Sequence, residues 1–264
     1  MFGIKRITGA ADLAARGDPG SWVSDAAREK FMAAYEQVFA LWPQPCEEFD
    51  IETATATTRV HAYRPHPGGA PVVLLTGAGG NAAAWFPHVA ALAEDGPVYG
   101  IDMPGDANPS VPRAPLTPPA SCAAWLDEVL GKLSDRPAHL VGYSYGGWVA
   151  MNQAIRAPGR VASVTLLDPA VLTDDELRAI DVPVLLVTGT RSALVTPAQA
   201  RARGSLMPHA EVAVVPGSHG SFNRIGELND RIAAFIKAHA GEQAAQPAES
   251  PTAKPVGPQP GSMP

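Results

Sequence analysis

Ser144 stands in the run Gly142-Tyr143-Ser144-Tyr145-Gly146, between the apolar stretch Ala138-His139-Leu140-Val141 and the helix-forming stretch Gly147-Trp148-Val149-Ala150-Met151-Asn152-Gln153-Ala154. A strand that turns sharply into a helix holds such a serine in a strained backbone conformation, and glycines on either side avoid collisions with neighbouring elements. The hydroxyl then projects from the strand's carboxyl end, over a helix N-terminus, where it is placed for nucleophilic attack. An ordinary glycine-rich turn with a capping serine reads the same five residues differently. A serine becomes a competent nucleophile when a base takes its proton, and histidine, with an ordinary pKa of about 6.5, suits that task near neutral pH. The chain has 7 histidines. His139 opens the strand before the serine, His209 precedes the last strand and His239 lies in the final helix. His219 follows the carboxyl end of a strand downstream of Ser144, which makes it the candidate base.

The elements that must position these groups are legible in the spacing of apolar residues. An amphipathic helix is predicted over 24–42, with Ser24 as N-cap, Pro43 as its end and Phe31, Ala34, Tyr35, Val38, Phe39 and Trp42 at three-and-four spacing. Segments 49–55 and 57–63 form a hairpin candidate. From Pro71 the pattern becomes alternating strand and helix. Strands are predicted over 72–76, 98–102, 139–143, 161–167, 184–188 and 211–215, each apolar enough for burial on both faces. Helices are predicted over 82–93, 119–133, 147–156, 197–206 and 224–240. Repeated strand-helix units imply an α/β fold, a mainly parallel, doubly wound sheet with helices on both faces. The organisation read from this is an N-terminal segment over 1–45 with one helix, a main domain over 46–240 and a proline-rich tail over 241–264. That tail has no periodicity and reads as disordered.

Composition narrows the function classes. The 264 residues are 46% hydrophobic and 17% charged, enough to build a large core. A formal charge of -6 without a lysine/arginine cluster argues against a nucleic-acid partner. No apolar run has the length of a membrane span, and the first twenty residues lack an apolar signal core, so the expectation is a soluble cytoplasmic protein without a membrane partner. Cys46 and Cys122 lack zinc-like spacing and read as packing residues.

Three further segments join the serine, and together they resemble the α/β-hydrolase superfamily, in particular its compact bacterial members. Val72-Val73-Leu74-Leu75-Thr76-Gly77-Ala78-Gly79-Gly80-Asn81, followed by Trp85, resembles the family's oxyanion loop. Ile101-Asp102-Met103-Pro104-Gly105, ending near Ser110, resembles its D-x-P-G-x-G-x-S turn. Val214-Val215-Pro216-Gly217-Ser218-His219-Gly220 resembles the loop that delivers its histidine. The resemblance implies a serine hydrolase acting on a small ester or related acyl substrate, without metal or cofactor. It assigns Ser144 as nucleophile, His219 as base, and the N–H groups of Ala78 and Tyr145 as the oxyanion hole.

Two departures stand out. Thr76 occupies the place where the family commonly has histidine. The segment Gly189-Thr190-Arg191-Ser192-Ala193-Leu194-Val195-Thr196-Pro197, where the orienting acid usually follows its strand, has no carboxylate. Asp168, at the end of the preceding strand, is the substitute, a place from which some members of the fold supply the acid; as a simple turn cap it would have no such role. Only the 13 residues 170–182 separate Pro169 from Pro183, so a cap there is minimal or absent. Two other readings remain open. One is a degenerate member acting as a binding module, or a cyclase or acyltransferase using the same pocket. The other is a nicotinamide-dependent reductase, since Gly77-Ala78-Gly79-Gly80-Asn81-Ala82 is also G-x-G-x-x-A, with Asp102 twenty residues past Ala82.

Overall fold

The computed structural model describes residues 22–116, 118–170, 173–219 and 221–241. The predicted tail from residue 242 on, and the first 21 residues, lie outside that description. Helix α1 (Asp25–Phe39) is followed by an antiparallel hairpin, β1 (Glu47–Glu52) and β2 (Ala56–Tyr63). Then come β3 (Val72–Leu75), a 3-10 turn (Ala82–Trp85), α2 (Val89–Leu92), β4 (Val98–Ile101) and the short β5 (Val111–Pro112). The chain continues through α3 (Pro119–Leu133), β6 (Ala138–Tyr143), α4 (Tyr145–Arg156), β7 (Val161–Leu167), α5 (Asp174–Arg178), β8 (Val184–Gly189) and α6 (Pro197–Gly204). It closes with β9 (Ala210–Val215), the small pair β10 (Gly217–Ser218) and β11 (Ser221–Phe222), and α7 (Ile225–Ala238).

The main sheet runs in the order β1-β2-β4-β3-β6-β7-β8-β9. From β4 to β9 every neighbour is parallel, while β2 runs antiparallel to both β1 and β4. The two-residue alternation of a strand divides its apolar side chains between two cores. Val73, Leu75, Leu140, Leu166 and Leu186 join Trp125, Leu126 and Val149 on the α3/α4 face. Val72, Leu74, Val141, Leu167 and Val187 join Trp85, Val89, Leu228 and Ile232 on the α2/α7 face. A fully buried side chain of this size contributes about 1.5–3 kcal/mol, so both layers anchor the strand ends.

Three departures from the sequence-based expectation have plain causes. The helix expected over 82–93 is two short pieces, because Pro87 lacks the N–H that would continue it. The first helix ends at Phe39; Leu41 and Trp42 close with tighter bonds to Val38 and Phe39 carbonyls, which carries the Trp42 ring beneath Gly100. A Cβ at Gly100 would lie 2.7 Å from that ring. Of the predicted stripe, Tyr35 and Trp42 are buried, Phe31 and Phe39 are half-buried and Ala34 and Val38 are exposed, and Ser24 caps the helix N-terminus by accepting from Ala27 N. Burial on both faces holds for β3, β4, β6, β7 and β8 but not for β9, which is the sheet edge.

Candidate active site

The carboxyl ends of β3, β6, β7 and β8 converge with the turn after β9, and the five sequence-predicted site residues lie on these ends. Ser144, between β6 and α4, has φ 51 and ψ -111, a left-handed backbone that an L-residue adopts only under strain. Its flanking glycines are obligatory for steric reasons. A Cβ on Gly146 would lie 2.2 Å from the Leu75 carbonyl oxygen, and one on Gly142 would lie 2.5 Å from the Gly146 oxygen. The backbone is pinned from both sides, Ser144 N donating to Leu167 O at 3.0 Å and Ser144 O accepting from Ala170 N at 2.9 Å. The serine side chain makes no capping bond to α4, so the capping-serine alternative does not describe it.

The Gly77–Gly80 loop faces this elbow. A Cβ on Gly77 would meet the Tyr143 ring at 2.9 Å and Ser144 Cβ at 3.2 Å, which shows how closely the two turns approach. Gly79 (φ 78) donates its N–H to Asp106 Oδ1 at 2.9 Å, Gly80 N donates to Gly77 O at 2.9 Å, and Ala82 N donates to Asp102 Oδ1 at 2.7 Å. Among the described residues, the N–H groups of Ala78 and Tyr145 have no backbone acceptor outside their own elements. Thr76, standing where the family has histidine, is buried with its hydroxyl unpartnered.

Asp168 follows β7 with φ 47 and no exposure to solvent. Its Oδ2 lies 2.7 Å from His219 Nδ1 and 2.6 Å from the Ser192 hydroxyl, which donates to it. The Thr188 hydroxyl reaches Oδ1 at 3.0 Å and the Val195 carbonyl at 2.6 Å, one proton between two acceptors. Ser192 Oγ in turn accepts from Leu194 N and Val195 N at 3.2 and 3.1 Å. Ser192, read from sequence as a vacancy in the motif, is therefore part of the carboxylate's cradle. Its local sequence carries no signal of that role, because the contact forms only where β7 and β8 lie side by side. Burial, then the nearby Asp168 carboxylate, pushes the Tyr143 phenol up to about 12, and its ring lies 5.1 Å from the His219 ring, centroid to centroid. Among the described residues, no hydrogen bond joins the Ser144 side chain to His219, whose Nδ1 meets Asp168.

A cavity of about 570 Å³ opens beside this cluster, lined by the Thr76–Gly80 loop and by Trp85, His88, Tyr143, Leu167 and Phe222 among others. In the 170–182 connection the described secondary structure is α5 alone. The dinucleotide alternative fails on Asp102: its oxygens are taken by Ala82 N and the Tyr35 hydroxyl, and the side chain is sealed from any ribose. Cys122 is buried, and burial raises its thiol pKa, consistent with packing. Among the described residues, no group of three or more His, Cys, Asp or Glu is placed to hold a metal ion, and no helix is long and apolar enough to cross a membrane.

Comparison with known proteins agrees with this fold. Residues 70–181 match the family model of the alpha/beta hydrolase fold, a span that includes Ser144, Asp168 and the glycine loop but not His219. The carboxylesterase YbfK of Bacillus subtilis is 35% identical over 141 residues, a match covering 53% of this chain but only 47% of that relative. The uncharacterized carboxylesterase nap of the same organism is 26% identical, covering 80% of this chain and 94% of the relative. The crystal structure of naproxen esterase from Bacillus subtilis superposes with a TM-score of 0.76 at 25% identity, over 82% of this chain and all of that one. The sheet order, the strained serine turn and these similarities together show that the chain has the α/β-hydrolase fold.

Proposed function

We propose that this protein is a serine hydrolase that cleaves small carboxylic esters through an acyl-enzyme on Ser144. The observation that carries the reading is the 2.7 Å contact between His219 Nδ1 and Asp168 Oδ2 on a part-exposed imidazole beside the strained Ser144 turn. A carboxylate can only accept, so Nδ1 carries the proton and Nε2 keeps the lone pair that a general base needs. His219 Nε2 takes the proton of Ser144 Oγ as the oxygen attacks the acyl carbon, and then gives it to the departing alkoxide. Water, deprotonated by the same nitrogen, attacks the acyl carbon, the bond to Ser144 Oγ breaks, and Nε2 returns the proton to the serine oxygen as the acid leaves. The N–H groups of Ala78 and Tyr145 stabilise the oxyanion at both stages. Asp168 holds the imidazole and offsets its charge. The carboxylesterase names of the relatives and of the superposed structures support an ester substrate. The two free cysteines fit a reducing cytoplasm.

The test is labelling with a fluorophosphonate, followed by peptide mapping and by turnover of p-nitrophenyl butanoate. Modification at Ser144, absent in Ser144→Ala together with turnover, is the expected result. A folded sample that neither labels at Ser144 nor hydrolyses the ester would overturn the reading.

A further inference from the structure

The cavity beside Ser144 contains a histidine that the proposed mechanism does not use, and its protonation can be derived from its neighbours. His88 is only 8% exposed, yet it lines the cavity. Its Nδ1 lies 2.6 Å from Asn229 Oδ1. The Asn229 amide is oriented independently, because its Nδ2 donates to the Pro87 carbonyl at 2.9 Å. The amide oxygen therefore faces the imidazole, so Nδ1 carries the proton and Nε2 is left with an unshared pair. Nε2 has no protein partner among the described residues, and it is not among the side-chain atoms sealed from solvent without one. The Trp85 ring packs edge-on against the imidazole at 5.3 Å and 69°, which fixes the ring plane. Burial holds the His88 pKa below its ordinary value, so the ring is neutral at neutral pH.

We propose that His88 Nε2 is a specificity-determining acceptor, and that the part of the substrate lodged in this cavity is an apolar body bearing a neutral hydrogen-bond donor, a hydroxyl. The inference rests on the hydrolase reading. Trp85, Leu167 and Phe222 supply apolar wall, and none of the described lining residues carries a formal charge when His88 is neutral. A wholly apolar ester would strip water from Nε2 and leave a buried acceptor unpaired. A carboxylate would meet a lone pair with no cation to balance it, and an ammonium would find no anion. A hydroxyl satisfies the nitrogen without bringing a charge.

Two substrate pairs locate the donor. The acyl pair is p-nitrophenyl hexanoate and p-nitrophenyl 6-hydroxyhexanoate; the alcohol pair is hexyl butanoate and 6-hydroxyhexyl butanoate. The expected result is a kcat/KM preference for the hydroxylated member of about tenfold in one pair. That preference should disappear in His88→Leu and survive in part in His88→Gln, which retains an acceptor. Equal rates in both pairs, or a preference that persists in His88→Leu, would overturn the proposal. Because His88→Leu leaves Asn229 Oδ1 unpaired and lowers stability, wild-type protein carrying ¹⁵N-labelled histidine supplies a second readout. Titration with 1-hexanol should move the unprotonated Nε2 resonance of His88 upfield, whereas dipropyl ether, which has no donor, should not. No response to saturating hexanol would overturn the proposal. This readout does not depend on turnover, so loss of the hydrolase reading and loss of the His88 assignment remain separable.

Discussion

Asp102 and Asp168 each end a strand of the same sheet, each is fully buried, and each meets an imidazole, yet the two pairs lie in different surroundings. Asp102 Oδ2 accepts from the Tyr35 hydroxyl at 2.7 Å and lies 3.4 Å from His61 Nε2. His61 has no exposed side chain and is closed in by Phe39 and Trp42, with ring centroids 4.0 and 6.2 Å away. Its Nδ1 is buried without a hydrogen bond. This cluster ties α1 to β2 and β4. His219 also has one nitrogen on a carboxylate, but its side chain is 33% exposed and stands over the strained serine turn. A carboxylate-imidazole pair is therefore no mark of catalysis by itself. What separates the two is whether the second imidazole nitrogen has room for a reacting group.

The largest expected effect tests that distinction directly. Asp168→Asn keeps the volume and leaves Thr188 an acceptor, but an amide NH2 in place of Oδ2 faces His219 Nδ1 and allows the wrong tautomer, so kcat should fall by roughly 10³–10⁴ with the fold retained. Ester turnover per folded molecule and thermal melting measure the two quantities. Wild-type turnover would place Asp168 in the same structural role as Asp102. Ser192→Ala removes one donor from the carboxylate and should lower kcat on the order of 10- to 100-fold, the worth of a hydrogen bond to a charged group. If Ser192 serves only its own turn, through Leu194 N and Val195 N, melting will shift and kcat will not.

At the Asp102 pair the same logic predicts the reverse. Tyr35→Phe removes the hydroxyl that lies 2.5 Å from His61 Nε2 and donates to Asp102 Oδ2. The cost should be about 1–3 kcal/mol of stability, read by urea unfolding, with kcat unchanged. A fall in kcat with little loss of stability would mean that this cluster communicates with the glycine loop through the Asp102–Ala82 bond.

The division between these two pairs explains what could be read from the sequence. The strands were legible because β3, β6, β7 and β8 are buried on both faces and hence uniformly apolar, and the elbow was legible because backbone collisions at Gly142 and Gly146 leave no other residue type possible. Asp168 could not be decided in sequence, since a turn cap and a histidine partner use the same residue, and only the spatial approach of His219, 51 positions away, distinguishes them. The support from Ser192 and Thr188 was hidden for the same reason: it crosses between β7 and β8. Tyr35, His61 and Asp102 lie on three different elements, and nothing in their local patterns announces a cluster. The helix expected over 82–93 is divided at Pro87, whose missing N–H is a local property of the residue itself.

The smallest effect concerns Asp106, which braces the glycine loop through Gly79 N–H. Burial is the main cause that raises its pKa; the Asp102 charge adds to it, and the Gly79 bond opposes it. The folded chain therefore holds this proton more tightly than the unfolded chain does. The stability that Asp106 contributes is fully present below the ordinary carboxylate pKa and is lost as pH rises through its raised folded value. At neutral pH the ionised side chain is thus a net cost. Asp106→Asn removes the charge and keeps an oxygen for Gly79, so it should raise Tm at neutral pH by on the order of 1–3 °C. The difference from wild type should shrink as pH falls through the Asp106 pKa, where the native carboxyl becomes neutral as well. A variant that melts lower at neutral pH, and regains wild-type stability only in acid, would show that the charge-assisted bond to Gly79 outweighs burial. In that case the carboxylate would be held ionised for the sake of the loop that carries Ala78, and kcat should fall with it.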